Sequence, residues 1–234
     1  MTAVWPFRLG AVAAVVGAAA QFVATVVEPD WGGDPQRAVR VVAASRMWNA
    51  DRLLDLIGLL LTLVALTVAA RALSGAGREW VRVGTPLLHT MAALGAAAIL
   101  TGAVMRNLAQ QWQRADAIAQ PPYLAAFDAM SRTTENLFFG AFLALGAYLA
   151  ALAPAIMSGS VFCRWTGRAC GVSAVLLLGG DLLSIVFDPA FVAVLAGYVL
   201  FLVAVAALGI AMWRQATSSR PAATPNLPSA VEQT

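Results

Sequence analysis

Asp181 follows the apolar run Ala174-Val175-Leu176-Leu177-Leu178-Gly179-Gly180 and precedes Leu182-Leu183-Ser184-Ile185-Val186-Phe187, with no cation nearby in the chain to pair with it. Glu135 is followed by Asn136 and then by Leu137-Phe138-Phe139. Carboxyl groups in such surroundings are suited to hold a proton and hand it to a reacting atom, the task of a general acid. A third group is denser. In Trp48-Asn49-Ala50-Asp51-Arg52-Leu53-Leu54-Asp55, two carboxylates, an amide and a guanidinium lead directly into residues 56–70, which carry no charge. Such side chains at the mouth of a membrane helix cost on the order of a few kcal/mol unless partners inside a bundle meet them. The candidate catalytic residues are therefore Glu135, Asp181, Asp55 and Asp51.

Spacing groups these residues further, because positions i, i+4 and i+7 share one helix face. Asp51 and Asp55 are so related, as are Trp48, Arg52 and Asp55; Asp128, Arg132 and Glu135; and Arg106, Gln110 and Gln113. Arg106, Asn107 and Asn136 are candidates for orienting a bound substrate. Trp48, Trp112 and Phe138, with Phe139, are candidates for facing it, since the negative face of an aromatic ring attracts a cation. Two structural readings compete. Arg52, Arg106 and Arg132 would neutralise Asp51, Asp55, Asp128 and Glu135 in ion pairs that fix helix packing, and the aromatics would be core or interfacial anchors.

The elements that must position these groups are membrane spans. Hydrophobic residues make up 60% of the 234 residues and charged ones only 12%, about half the charged share of ordinary soluble domains. The expected fold is all-α: a bundle of about six transmembrane helices, with a short interfacial helix between the first and second. The first span covers residues 7–27, and a turn-rich stretch, 28–35, leads into an Arg/Val/Ala helix at 36–46. Further spans are expected at 47–71, from 83 to 105 with a polar continuation to 114, at 123–153, from 164 to 187, and at 190–213. Pro121 and Pro122 suit the opening of a helix, where a missing amide proton costs least. Residues 1–213 form one bundle, and 214–234, rich in Ser, Pro, Ala and Thr, form a disordered tail.

Folding this zigzag brings the start of the second span, the end of the third, the start of the fourth and the end of the fifth to one pole. Of the twelve acidic residues only Glu79 and Glu232 fall elsewhere. All fifteen cations are Arg, a composition that suggests a GC-rich bacterial genome. With Arg52, Arg106 and Arg132 assigned to helices, the loop arginines favour cytoplasmic N- and C-termini in the cell membrane, with the acidic pole outside.

Several chemistries find no motif. Cys163, Cys170 and His89 do not supply the ligands of a zinc site, so no metal is expected, and no cofactor motif is present. A net charge of +3 without a basic aromatic surface points to no nucleic-acid partner. Asn49, Asp51 and Asp55 partly match the first Asp-rich motif of membrane prenyltransferases, but the second Asp-rich helix is missing. Leu56 after Asp55 breaks the pattern of six-span head-group transferases. No phosphate loop, metalloprotease helix or Gly-x-Ser-x-Gly elbow occurs.

The Ala/Arg helix running into an Asp-containing second span, with Tyr123-Leu124-Ala125-Ala126-Phe127 opening a long fourth helix, resembles small six-span bacterial membrane proteins of a domain-of-unknown-function family. In size, span count and buried acids the chain is also similar to actinobacterial drimentine-type membrane terpene cyclases. No catalytic position is carried over from either family. The second resemblance implies proton-initiated cyclisation of a prenylated indole alkaloid, and its partners are then a lipophilic small molecule and the lipid bilayer. Glu135 or Asp181 would donate the proton, and Asp51 or Asp55 would accept the last one. A substrate made inside the cell would reach an outward pole laterally through the membrane, unless the orientation is reversed. The alternatives are a proton-coupled small-molecule transporter and a non-catalytic membrane subunit; the oligomeric state is open.

Overall fold

The computed structural model describes residues 4–218, apart from Gly32, Ser160 and the side chain of Asp188. Among the described residues the helices are α1 (Val4–Val27), α2 (Pro35–Ala44), α3 (Trp48–Ala72), α4 (Ala76–Arg114), α5 (Gln120–Ser158), α6 (Arg164–Ser184) and α7 (Phe191–Ser218), with a 3-10 turn, Asp188–Ala190, before α7. All but α2 are long and apolar enough to cross a membrane. The chain is thus an all-α, multi-pass membrane protein built as a six-helix bundle. Each span packs against the next in chain order, and α7 returns to pack against α1, so the six close into a ring.

Where the apolar driving force between helices is weak, close packing decides which helices touch. At Gly58 of α3, a Cβ would lie 2.6 Å from Cγ of Gln21 and 3.0 Å from its backbone nitrogen. The missing side chain is what lets α1 approach α3 there. The turn from α3 to α4 passes through Gly75 at φ 57° and ψ −137°, a conformation few residues other than glycine adopt. That turn lets α4 begin at Ala76, earlier than the expected span boundary at residue 83. The polar stretch Gly77-Arg78-Glu79 forms its first turn, where Glu79 complements the helix dipole.

α4 and α5 are each 39 residues long, against 25 for α3 and 21 for α6. Trp48, the first residue of α3, donates its indole N–H to the Gly102 carbonyl of α4 at 2.7 Å. The rest of α4, to Arg114, therefore rises past the start of α3 by about 18 Å at 1.5 Å per residue. Asp116 closes this hairpin by accepting the amides of Ile118 and Ala119 at 3.1 and 2.9 Å, and Pro121 and Pro122 stand in the first turn of α5 as expected.

α2 is capped by Asp34, whose carboxylate accepts the amides of Gln36 and Arg37, with Pro35 in its first turn. Its apolar residues Ala38, Val39 and Val42 are buried together with Met105, Ala109 and Phe127 of the hairpin. The helix expected along the interface thus turns its apolar face to protein. At the opposite pole α7 runs on to Ser218, with Gln215 donating to the Val161 carbonyl at 2.6 Å. The first residues of the expected tail are therefore helical, and 219–234 lie outside the described residues.

Candidate functional site: an acid-lined cavity inside the ring

Within the ring lies a half-open cavity of about 770 Å³ lined by residues of all six spans, Glu135 among them being exposed. Asp55 of α3, Glu135 of α5 and Asp181 of α6 lie on its wall, with Asn136 and Phe138. These five candidates, all named from the sequence, are brought together because α3 begins, α5 crosses and α6 ends at one level, where Thr134 of α5 lies 3.0 Å from the Thr101 hydroxyl of α4. No arginine or histidine lines the cavity among the described residues. Asp181 is buried and one of its carboxyl oxygens has no hydrogen-bond partner. Asp55 makes no ion pair among the described residues, and the Glu135 carboxylate accepts only from Ser131, at 3.3 Å.

One side of the cavity is aromatic. Phe138 stacks on Phe142 with ring centres 6.2 Å apart, Phe142 meets Tyr198 edge-on at 5.4 Å, and Tyr198 leans on Phe201 at 6.1 Å. Such a wall places aromatic π-systems, whose faces are electron-rich, beside whatever occupies the space. The other side is polar: Thr62 donates to the Gln21 side-chain carbonyl at 2.9 Å between α3 and α1, and both are buried. Sequence reasoning misses Gln21, Thr62 and Tyr198. A signal for them exists, in a lone amide and a lone phenol within otherwise apolar spans.

The remaining candidates occupy two other places. Asp51, Arg52 and Trp48 form a lock at the rim of the ring. The Arg52 guanidinium pairs with Glu28, from the segment after α1, lies 3.7 Å from the Asp51 carboxylate, and sits over the Trp48 ring at 4.6 Å. Trp31 donates to the same Glu28 at 2.6 Å and meets Trp48 edge-on. Asp51 and Trp48 are therefore placed off the cavity wall and within the helix-fixing cluster, as the ion-pair reading requires. Of the other pairings in that reading, Arg132–Asp128 at 3.0 Å also forms, on the exposed hairpin. Asp55 and Glu135 are left outside such pairs, and the Glu28–Arg52 pair is one the sequence does not announce.

Arg106, Asn107 and Trp112 lie on the part of α4 that rises above the ring. Trp112 packs on the cluster under α2, Asn107 is exposed, and Arg106 makes no ion pair among the described residues. None of the three lines the cavity. Among the described residues no group of three His, Cys, Asp or Glu side chains is placed to hold a metal ion.

The fold and cavity together define a multi-pass membrane protein with a carboxyl-lined, aromatic-walled chamber among its spans. No family model, curated protein or solved structure matches the chain.

Proposed function

We propose that the cavity is the active site of a membrane enzyme that performs acid-base chemistry on a lipophilic isoprenoid substrate, with proton-initiated cyclisation as the specific reaction. The observation that carries this reading is the presence of Asp55, Glu135 and Asp181, from three different helices, together with Glu28 and Asp30 of the segment after α1, on the wall of a chamber that also holds Phe138, Phe142 and Tyr198 and, among the described residues, no arginine or histidine. A volume of about 770 Å³ falls within the range of small-molecule sites, roughly 300–1,000 Å³, and leaves room for a folded prenyl chain with an attached ring system. The resemblance to drimentine-type cyclases implies a prenylated indole alkaloid as that substrate, entering from the bilayer. Both termini are assigned to the cytoplasmic side of the cell membrane.

In this chemistry a carboxyl O–H adds its proton to one carbon of an alkene, and the alkene π pair forms the new C–H bond. The carbocation left behind is attacked by the next alkene, forming a C–C bond. The last cation loses a proton to a carboxylate, so the product is an isomer of the substrate and no oxidant or cofactor is consumed. Asp181, the most deeply buried of the three, is assigned as the donor with Glu135 as its alternate. Asp55 is assigned as the acceptor of the final proton. The faces of Phe138, Phe142 and Tyr198 would stabilise the passing cation, as ring faces do, and Asn136 would orient the substrate.

The test is to incubate membranes containing the protein with farnesylated indole alkaloids and to search by chromatography for a product of unchanged mass. An isomer that disappears with Asp181→Asn or Glu135→Gln supports the reading. No isomer from any of a range of prenylated substrates overturns it, and proton-coupled flux across vesicles becomes the measurement to make.

A further inference from the structure

The pole opposite the acidic one carries a second cavity, a crevice of about 890 Å³ between the end of α3 and the first turns of α4, with α5 behind it. Arg71 comes from α3, Arg78 and Arg82 from α4, and Tyr148 from α5. Arg78 and Arg82 are one helical turn apart and so share a face. None of the three arginines forms an ion pair among the described residues. Glu79 also lines the crevice, but three guanidinium groups against one carboxylate leave it net positive.

Arginines flanking a span are ordinary, and two further observations set this place apart. Tyr148 is 1% exposed, and its hydroxyl, on a residue lining the crevice, has no hydrogen-bond partner. A buried hydroxyl donor is costly to leave unmatched, and an anion in the crevice would match it. The nearby Thr67 and Thr85 hydroxyl protons are already given to their own helices, at 2.8 Å each, so the arginines, the His89 imidazole and Tyr148 are the side-chain donors left for a ligand.

The second observation places the crevice in the membrane. Trp5, Trp80, Trp165 and Trp213 are all large exposed side chains at the start of α1, α4 and α6 and near the end of α7, which is this same pole. Exposed indoles concentrate at headgroup level. At the other pole Trp31, Trp48 and Trp112 pack together with the cluster under α2 instead. The crevice, with Trp80 two residues from both Arg78 and Arg82, therefore opens at the depth of lipid phosphates.

We propose that this crevice is a binding site for a phosphate group, presented by the headgroup of an anionic phospholipid. The guanidinium forks of Arg78 and Arg82 grip the phosphate oxygens, with Arg71 opposite, and Tyr148 donates from behind. Leu73, Val81 and Leu88, buried in the core behind the same wall, make its base apolar. The site is separate from the acid-lined cavity and does not depend on what that cavity does.

The experiment uses the purified full-length protein in detergent, with dioleoyl phosphatidic acid, dioleoyl phosphatidylcholine or inorganic phosphate added, read by native mass spectrometry and by thermal melting. Phosphatidic acid is expected to be retained and to raise the melting temperature, phosphatidylcholine to do neither, and inorganic phosphate at equal concentration to have no effect. The double variant Arg78→Gln/Arg82→Gln should lower retention at least tenfold. Tyr148→Phe, which keeps the ring and its packing, should lower it several-fold and carries the test should the double variant fail to fold. Equal retention by wild type, the double variant and Tyr148→Phe overturns the site. Inorganic phosphate binding as tightly as phosphatidic acid overturns the lipid as its source.

Discussion

Asp51 and Asp55 are four residues apart on one helix and have different surroundings, which makes them a sharp comparison. Asp51 is beside Arg52 at 3.7 Å and off the cavity wall, while Asp55 is on that wall without an ion-pair partner among the described residues. With Asp181 as proton donor, Asp181→Asn is expected to cut isomer formation by about 100-fold or more, the usual scale of a lost general acid, while Asp51→Asn leaves turnover within a few-fold. Single-turnover rates in membranes check this, and a silent Asp181→Asn would remove the donor assignment. Arg52→Ala acts through stability instead: it leaves Glu28 and the buried Asp51 facing each other without their cation. Losing one partner of a buried ion pair costs about 3 kcal/mol or more, so the variant should melt well below wild type in detergent. Asp181 was legible in the sequence because a lone carboxyl in an apolar run has no local alternative, whereas Asp55 and Glu135 each have an arginine three residues away, and only the structure shows that neither forms an ion pair with it among the described residues. Glu28 was not legible, because its partner lies 24 residues away beyond α2, and only the folded chain shows that Arg52 turns to it rather than to Asp55.

At the scale of helices, the contact of α1 with α3 sets the polar side of the cavity. Gly58→Val would drive a branched side chain into Gln21, already 2.6 Å from the position of a single Cβ. α1 must then move away and the Gln21–Thr62 hydrogen bond is lost. Overpacking of this kind costs about 1–3 kcal/mol, equivalent to roughly 3–10 °C in a chain of this size. Differential scanning fluorimetry in detergent measures it, and a melting temperature equal to wild type would show that α1 does not depend on this contact. Span count and order were legible from hydropathy, since each apolar run is long enough to cross and is bounded by turn residues. Two features of the elements were not. The Arg/Val/Ala pattern of α2 gives an amphipathic helix but does not say whether lipid or protein covers its apolar face. That choice follows from the rise of α4 and α5 above the ring, which presents Met105, Ala109 and Phe127 to Ala38, Val39 and Val42. The early start of α4 was hidden as well, because Gly75 marks a turn without saying on which side of Arg78 and Glu79 the helix resumes.

Over the whole molecule the chemistry is segregated by pole, and the native cysteines allow its orientation to be read without engineering. Carboxyls and the inward-packed tryptophans gather where α3 begins; the exposed tryptophans, with Arg71, Arg78 and Arg82, gather where α3 ends. Cys163, just before α6, is exposed at the arginine-rich pole, whereas Cys170, two turns into α6, is buried. A membrane-impermeant maleimide added to intact cells should therefore reach neither thiol if the arginine-rich pole faces the cytoplasm, as the distribution of loop arginines favours. After the membrane is opened, Cys163 should be modified and Cys170 should not, giving one added mass per chain; Cys163→Ser abolishes that signal and confirms its source. Modification of Cys163 in intact cells would reverse the orientation. The acid-lined cavity would then lie toward the cytoplasm, and a substrate made inside the cell would have direct access to it. With the favoured orientation the same substrate must enter between the helices from the bilayer, a route suited to a molecule carrying a prenyl chain.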